Sequence, residues 1–192
     1  MILLSGIVGG LLAGWAWARW RRKPYQAPAL QSAWLIPVGF IPQFIVAYLP
    51  ATYSRAPSWL AAVSIFASLI VFLAFVWENR RLPGMLFLLA GLLLNLSVMA
   101  ANRGWMPISS DVASRLIGGD VSRYVALGER FGPKDILLSP QDMHLGFLAD
   151  RFLLPAWSPY QVAFSAGDIL IAIGVFWLLA RPPVKVNPMD AE

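Results

Sequence analysis

The chain has 192 residues, of which 58% are hydrophobic and 13% are charged, and its formal net charge is +5. A water-soluble domain is nearer half apolar and a quarter charged, so the composition excludes one globule that hides its apolar surface from water. The absence of cysteine excludes disulfides, thiolate metal sites and cysteine nucleophiles. The basic residues cluster at the ends of apolar runs, which is typical of membrane orientation rather than of nucleic-acid binding.

Five apolar runs reach or approach the ~20 residues that a helix needs to cross a bilayer. We predict an all-α, polytopic membrane protein, a single membrane domain over residues 1–192. Its predicted spans cover about residues 2–20, 33–49, 59–77, 85–101 and 165–180. The first run is followed rather than preceded by basic residues, which favours an uncleaved first helix over a signal peptide.

The basic residues also predict the orientation. They follow the first, third and fifth runs, at residues 19–23, 80–81 and 181–185. If five helices alternate, these clusters all lie on one side, which the excess of Lys and Arg identifies as the cytoplasm. We therefore expect a bacterial cytoplasmic (inner) membrane protein with its N-terminus outside and its C-terminus in the cytoplasm.

A long segment, about residues 102–164, then lies outside the cell. Its six acidic and six basic residues balance, so it has no net attraction for nucleic acid or anionic lipid. A connection of this length is expected to hold structure of its own. Helical spacing predicts one surface helix over residues 112–125, weakened by Gly118 and Gly119. A capping pattern predicts a second helix from Ser139 to about Arg151.

Small residues line one face of the first span. Gly6, Gly10 and Gly14 recur every four residues. Small side chains at this spacing let the backbone of another helix approach closely, so we interpret the row as a helix-packing face. The partner helix belongs either to the same chain or to another subunit, and the pattern does not distinguish the two.

The second span contains helix-breaking residues. Pro37 and Pro42 each remove a backbone donor and crowd the carbonyl four residues earlier. Gln43 lies near mid-membrane, where an unpaired amide is costly, so it should face protein or water. A kink stabilised by Gln43 is the simpler interpretation, and a broken helix lining a substrate path is the alternative.

Asp168 opens the last span. An acid at the edge of a membrane is costly and is usually paired, capped or functional. Ser165, three residues earlier, predicts a helix-capping arrangement that alone would account for the carboxylate. An active role needs a partner, and the candidates on the same predicted side are Asp150, Asp142 and His144.

A polar cluster is predicted near the outer interface. Asn95 and Asn102 share one face of the fourth span, close to where Asp168 begins the fifth. We expect Asn95, Asn102, Asp150 and Asp168 to meet there and to tie the outer segment to the last two helices. The single histidine gives no metal signal, so no metal site is predicted, and any cofactor or bound pigment stays unknown.

Three stretches in chain order resemble one bacterial family. They are Val98–Ser109, Leu148–Pro155 and Phe164–Gly174. They are similar to the integral-membrane family known as domain of unknown function five-three-one-seven, over most of the chain. The resemblance implies a small multi-helix membrane protein and no particular activity.

A partial likeness to lipoprotein signal peptidase, a membrane aspartyl peptidase, also occurs at Phe164–Asp168. Ser165 stands where that family has Asn before its second catalytic acid. The Asn-x-x-Asp-Arg motif of that family is missing: Asn102-Arg103 lacks the acid, and Asp150-Arg151 lies in the outer segment. Aspartyl hydrolysis needs two nearby carboxyls, which would here be Asp168 and Asp150.

We therefore expect a membrane protein whose main partner is the lipid bilayer. The absence of a complete catalytic set favours a non-catalytic accessory or scaffold subunit that packs against other membrane subunits or forms a homo-oligomer. The alternatives are an aspartyl-type hydrolase that uses Asp168 with Asp150, and a small transporter or channel built on Pro37, Pro42 and Gln43.

Overall fold

A computed structural model describes residues 2–53, 55–155, 157–158 and 160–181, and the predicted basic residue Lys185 lies outside them. Most of these residues are helical. The helices are α1 (Ile2–Trp20), α2 (Leu35–Ala47), α3 (Pro50–Tyr53), α4 (Ser58–Glu78), α5 (Met85–Ala101), α6 (Ser110–Ile117) and α7 (Ala166–Ala180). The strands are β1 (Met106–Ser109), β2 (Arg130–Phe131), β3 (Asp135–Leu138), β4 (Phe152–Leu153) and β5 (Ala163–Phe164).

Two of the helices, α1 and α4, are long and apolar enough to cross a membrane by length and composition. Three further apolar helices, α2, α5 and α7, are shorter. Each of the five coincides with a predicted run, although α2 begins and ends two residues inside the predicted limits of 33 and 49. The predicted membrane association therefore rests on two helices of sufficient length.

The five long helices pack as a row in the order α1, α7, α5, α4, α2. Helix α7 runs parallel to α1, because Gly6 faces Ala172 and Gly14 faces Leu179. It runs antiparallel to α5, because Gly84 faces Gly174 while Gly91 faces Gly167. Helices α2 and α1 therefore form the two edges of the row.

Glycine allows these close approaches. A Cβ atom at Gly6 would lie 2.6 Å from the Ala172 carbonyl oxygen, and one at Gly14 would lie 2.4 Å from that of Leu179. Both distances are shorter than van der Waals contact, so neither position admits a larger residue at this spacing. The predicted packing face of α1 thus lies against α7 of the same chain.

Residues 102–164, here named the connecting module, contain strands, so the fold is mostly helical rather than all-α as predicted. Strand β3 pairs in parallel with β1 and antiparallel with β2, and β4 pairs with β5. The apolar residues Ile136 and Leu137 pair with β1 over a long sequence separation that no local periodicity reveals. Gly128 and Gly132 have φ values of 86° and 75°, which the turns bounding β2 require.

The connecting module has its own small core and a second one shared with the helices. Ile108, Ala113, Val121 and Leu137 are at most 1% exposed and form the first. Trp105, Met106 and Leu148 pack in the second, whose helical members come from the start of α4 and the end of α5, namely Ala61, Ala62, Ile65, Val98 and Met99. The module is therefore seated on one end of the helix row.

Of the two helices predicted in this module, the first is present but shorter than predicted, as α6. Helix α6 ends at Gly118, which adopts a left-handed φ of 70°. The second prediction, Ser139 to Arg151, is wrong: the Ser139 hydroxyl donates to the Asp142 carboxylate at 2.7 Å within a turn. Leu145 then takes a left-handed φ of 54°, and only a 3-10 turn at Gly146–Leu148 follows. The capping residues are present, but the left-handed backbone at Leu145 ends any helix.

Candidate functional site

The first turn of α7 holds a reciprocal cap. The Ser165 hydroxyl accepts the Asp168 backbone N–H at 3.1 Å, and an oxygen of the Asp168 carboxylate accepts the Ser165 N–H at 3.2 Å. This arrangement satisfies two backbone donors at a helix N-terminus, where the helix dipole also favours negative charge. The predicted capping role of Asp168 thus corresponds to the geometry at this helix end.

Asn95, from the middle of α5, completes this network. Its amide nitrogen donates to the other oxygen of Asp168 at 2.8 Å, and its amide oxygen accepts the Ser165 hydroxyl at 2.9 Å. Gly167 makes room for it, because a Cβ there would lie 2.0 Å from the Asn95 oxygen. Both oxygens of Asp168 are therefore engaged, and a polar side chain inside an apolar helix is satisfied.

A second cluster lies where β3 begins. Asp150 is 1% exposed, and one of its oxygens is in direct contact with the Lys134 ammonium group. The same ammonium group lies 3.2 Å from the Asp135 carboxylate. Strand β1 holds the backbone of both partners of this ion pair. The Met106 N–H donates to the Lys134 carbonyl, and the Asp150 N–H donates to the Pro107 carbonyl.

Burial dominates the protonation of this cluster. Burial and the charges of Asp135 and Asp168 together raise the pKa of Asp150 to about 7, against the opposing effect of Lys134. Burial also raises the pKa of Asp135. Burial acts to lower the pKa of Lys134, yet the three carboxylates together hold it well above its usual range. At neutral pH the lysine is charged and the Asp150 carboxyl is poised to hold a proton.

One oxygen of Asp150 is buried and, among the described residues, receives no hydrogen bond when the carboxyls are ionised. A proton on this oxygen would turn an unpaired acceptor into a donor. A buried acceptor without a donor costs about 1–3 kcal/mol, which favours the protonated form. Burial is therefore the common cause of the unpaired oxygen and of the raised pKa of Asp150.

Asn102 forms a third, separate contact. Its amide nitrogen donates to the carbonyls of Val98 and His144, at 2.7 and 2.8 Å, and its oxygen accepts the His144 N–H at 3.1 Å. It thereby joins the end of α5 to the connecting module through the backbone of His144. The predicted polar cluster is thus divided into three contacts, of which those around Asp150 and Asp168 interact electrostatically.

The residues proposed to break the second span lie at the edge of the row. Helix α2 continues from Leu35 to Ala47 with Pro42 inside it, and Pro37 falls in its first turn, where the missing N–H is tolerated. Gln43 is half-buried, and no described residue forms a hydrogen bond with its side chain. Helix α2 packs chiefly on α4, and a substrate path lined by these residues stays a prediction.

Sequence reasoning missed Lys134 and Asp135, the charged partners of Asp150. Lys134 immediately precedes β3, and Asp135 is the first residue of that strand. Only a predicted strand at this position would have placed the two residues beside Asp150. Within the described ranges, no group of three or more His, Asp or Glu residues is positioned to hold a metal ion.

Comparison with known proteins gives a family and one relative. Residues 28–180 match the family described as "Family of unknown function (DUF5317)". An "Uncharacterized protein" of Thermotoga maritima is 30% identical over 134 residues, which cover 68% of this chain and 70% of that protein. No solved structure matches the chain.

Proposed function

The chain belongs to the family of unknown function DUF5317, and we propose from its own geometry that it is a five-span membrane protein. In this proposal it serves as a non-catalytic scaffold or accessory subunit of the bacterial cytoplasmic membrane. The five long helices cross the bilayer, the N-terminus and the connecting module lie outside, and the C-terminus is cytoplasmic.

The directions of the helices support this topology. In a chain that crosses a membrane five times, the first and fifth spans run parallel and the fourth and fifth antiparallel, as α1, α7 and α5 do in the row. The connecting module joins the end of α5 to the start of α7 and packs on the start of α4. These three ends all belong to the outer side of the proposed topology.

Arginine–tryptophan pairs support the cytoplasmic assignment of the opposite end. An arginine guanidinium group lies over a tryptophan ring at the end of each of α1, α4 and α7, at 4.7, 4.8 and 4.8 Å from the ring centroid. The pairs are Arg21–Trp17, Arg80–Trp77 and Arg181–Trp177. Tryptophan favours the headgroup level and excess positive charge favours the cytoplasm, so the three pairs are consistent with one inner interface.

Exposed apolar side chains support the membrane environment of these helices. Leu12, Trp59 and Leu86, from three different helices, are 62%, 66% and 68% exposed. A soluble monomer rarely exposes large contiguous apolar surfaces. Lipid or another membrane subunit would cover these side chains.

The observation that carries the non-catalytic role is the saturation of the polar contacts between module and helices. Asp168 accepts hydrogen bonds on both oxygens, and Asn102 holds the His144 backbone from both sides. Such contacts rigidify a junction and engage both oxygens of Asp168 in holding the cap and Asn95. The module would then be a fixed outer platform through which the protein contacts other membrane subunits.

Photo-crosslinking tests this role. We would place a photoreactive amino acid at Tyr124, which is 76% exposed on the module, and at Trp20, which is 75% exposed at the far end of α1. We expect discrete adducts from position 124 in intact cells, and we expect these adducts to be lost in an Asn102→Ala background that loosens the module. A protein that purifies as a monomer and forms no adduct from either position would contradict the subunit role.

A specific observation favours a second function, an aspartyl-type hydrolase that uses Asp150 with Asp168. The buried, unpaired oxygen of Asp150 and its pKa of about 7 suit a carboxyl that exchanges a proton during hydrolysis. The test is cleavage of a labelled membrane-inserted lipopeptide by the reconstituted chain. Loss of cleavage of at least ~100-fold in both Asp150→Asn and Asp168→Asn would support a hydrolase. Unchanged cleavage in Asp168→Asn would remove it.

A further inference from the structure

A cavity of about 490 Å³ opens at the end of the helix row opposite the connecting module. It lies where the chain leaves α1 and folds back along that helix. Its lining residues are Trp15, Ala18, Arg19, Arg22, Lys23, Pro24 and Tyr25. The cavity is distinct from the clusters around Asp150 and Asp168.

A left-handed turn builds the mouth of the cavity. Arg22 has a φ of 53°, a conformation that normally favours glycine. Its N–H donates to the Arg19 carbonyl at 3.0 Å, and the Lys23 N–H donates to the Ala18 carbonyl at 2.9 Å. This helix end reverses the chain so that the side chains of residues 19, 22 and 23 surround one space.

Tyr25 fixes the returning segment against the bundle. Its hydroxyl donates to the Leu179 carbonyl at the end of α7, at 3.0 Å. Its ring lies over Gly14, where a Cβ atom would come within 2.7 Å of the ring. Ala18, 9% exposed, forms the floor below it. The cavity is therefore supported by contacts to two helices rather than by a loose loop.

The described charged residues around this space all have one sign. Arg19, Arg22 and Lys23 are exposed, and none of them takes part in an ion pair with the described acids. Within the part of the chain that the structure describes, which ends at Arg181, no acidic residue lines the cavity. Two guanidinium groups and one ammonium group around a preformed space are the donor set that binds phosphate oxygens. Trp15 adds an aromatic wall beside Arg19, with the guanidinium 5.8 Å from the ring.

We propose that this cavity binds a phosphate group, carried either by the headgroup of an anionic phospholipid or by a small soluble phosphate ester. The phosphate chemistry follows from the lining residues. The lipid source rests in addition on the proposed topology, which places the end of α1 at the inner interface, where basic pockets meet anionic headgroups.

Native mass spectrometry of the full chain in detergent tests the proposal without depending on the topology. Phosphatidylglycerol is titrated against phosphatidylcholine, and the Arg22→Gly variant removes one cation while keeping a residue that favours the left-handed turn. Arg21→Gln is the matched control, because it removes an equal charge one residue away, from a guanidinium group that lies over Trp17 outside the cavity.

We expect preferential adducts with phosphatidylglycerol and about five-fold weaker binding in Arg22→Gly, which corresponds to about 1 kcal/mol per basic residue. Adding Arg19→Gln should weaken binding by about another five-fold, whereas Arg21→Gln should bind as the wild type does. Glycerol 3-phosphate that displaces the lipid at similar concentration would identify a soluble phosphate ester as the ligand, and failure to displace it would identify the lipid. Equal losses in Arg21→Gln and Arg22→Gly, or no preference for the anionic lipid, would overturn the proposal.

Discussion

Replacing Asp150 by asparagine should change how the stability of the protein depends on pH. Burial raises the pKa of Asp150 to about 7 in the folded protein, so this group contributes stability while it is protonated. That contribution is complete below the unfolded pKa, near 4, and disappears as the pH rises through about 7. Asp135 has a raised pKa and acts in the same direction, whereas Lys134 loses its charge only at much higher pH.

The size of the effect follows from the shift. With a folded pKa of about 7 and an ordinary unfolded value, protonation of one carboxyl favours the folded state by roughly 2–3 kcal/mol more at pH 5 than at pH 8. For a chain of this length, that difference corresponds to roughly 5–10 °C in the unfolding midpoint. Asparagine keeps the shape of the side chain and does not titrate, so Asp150→Asn should lose this part of the pH dependence.

The assay is scanning fluorimetry in detergent between pH 5 and pH 8, with the intrinsic signal of the nine tryptophans. The measurements are made in a His144→Gln background, which leaves the chain without an imidazole group. Asp111→Asn is the control, since among the described residues Asp111 forms an exposed ion pair with Arg115. Parallel pH profiles for the parent and Asp150→Asn would refute the reasoning.

Three further substitutions test individual contacts. Gly167→Ala should destabilise the protein by about 1–3 kcal/mol, because a Cβ would displace Asn95, whereas Gly119→Ala, with no atom within 4 Å, should unfold like the parent. Asn102→Ala should cost about 1–3 kcal/mol and speed proteolysis of the connecting module, since His144 loses both backbone partners. Lys134→Met removes the charge that lowers the pKa of Asp150, so the loss of stability should occur at higher pH. An unchanged rate of digestion would contradict the prediction for Asn102→Ala. An unchanged midpoint pH of the stability loss would contradict the prediction for Lys134→Met.

The apolar runs predicted the long helices well because hydrophobicity over ~20 residues is a strong local signal. The row Gly6, Gly10 and Gly14 predicted close packing, but a row of glycines does not identify its partner. Only the three-dimensional arrangement shows α7 on that face. The cap at Ser165 was predictable for the same reason as the helices, since both of its members lie within one helical turn.

The connecting module was poorly predicted because its determinants are not local. Strands β2, β4 and β5 have two residues each, which is too few for an alternating pattern to register. The parallel partner of β3 is β1, on the far side of α6. Lys134 and Asp135 reach Asp150 only through that pairing, so the ion-pair cluster could not be found before the strands were known.

The proposed topology places the connecting module and the C-terminal tail on opposite sides of the membrane. The chain has no cysteine, so single cysteines introduced as Tyr124→Cys and Glu192→Cys can be labelled without interference. With a membrane-impermeant maleimide, we expect Tyr124→Cys to react in intact spheroplasts and Glu192→Cys to react only after permeabilisation. Reaction of both positions under the same condition would contradict the five-span topology.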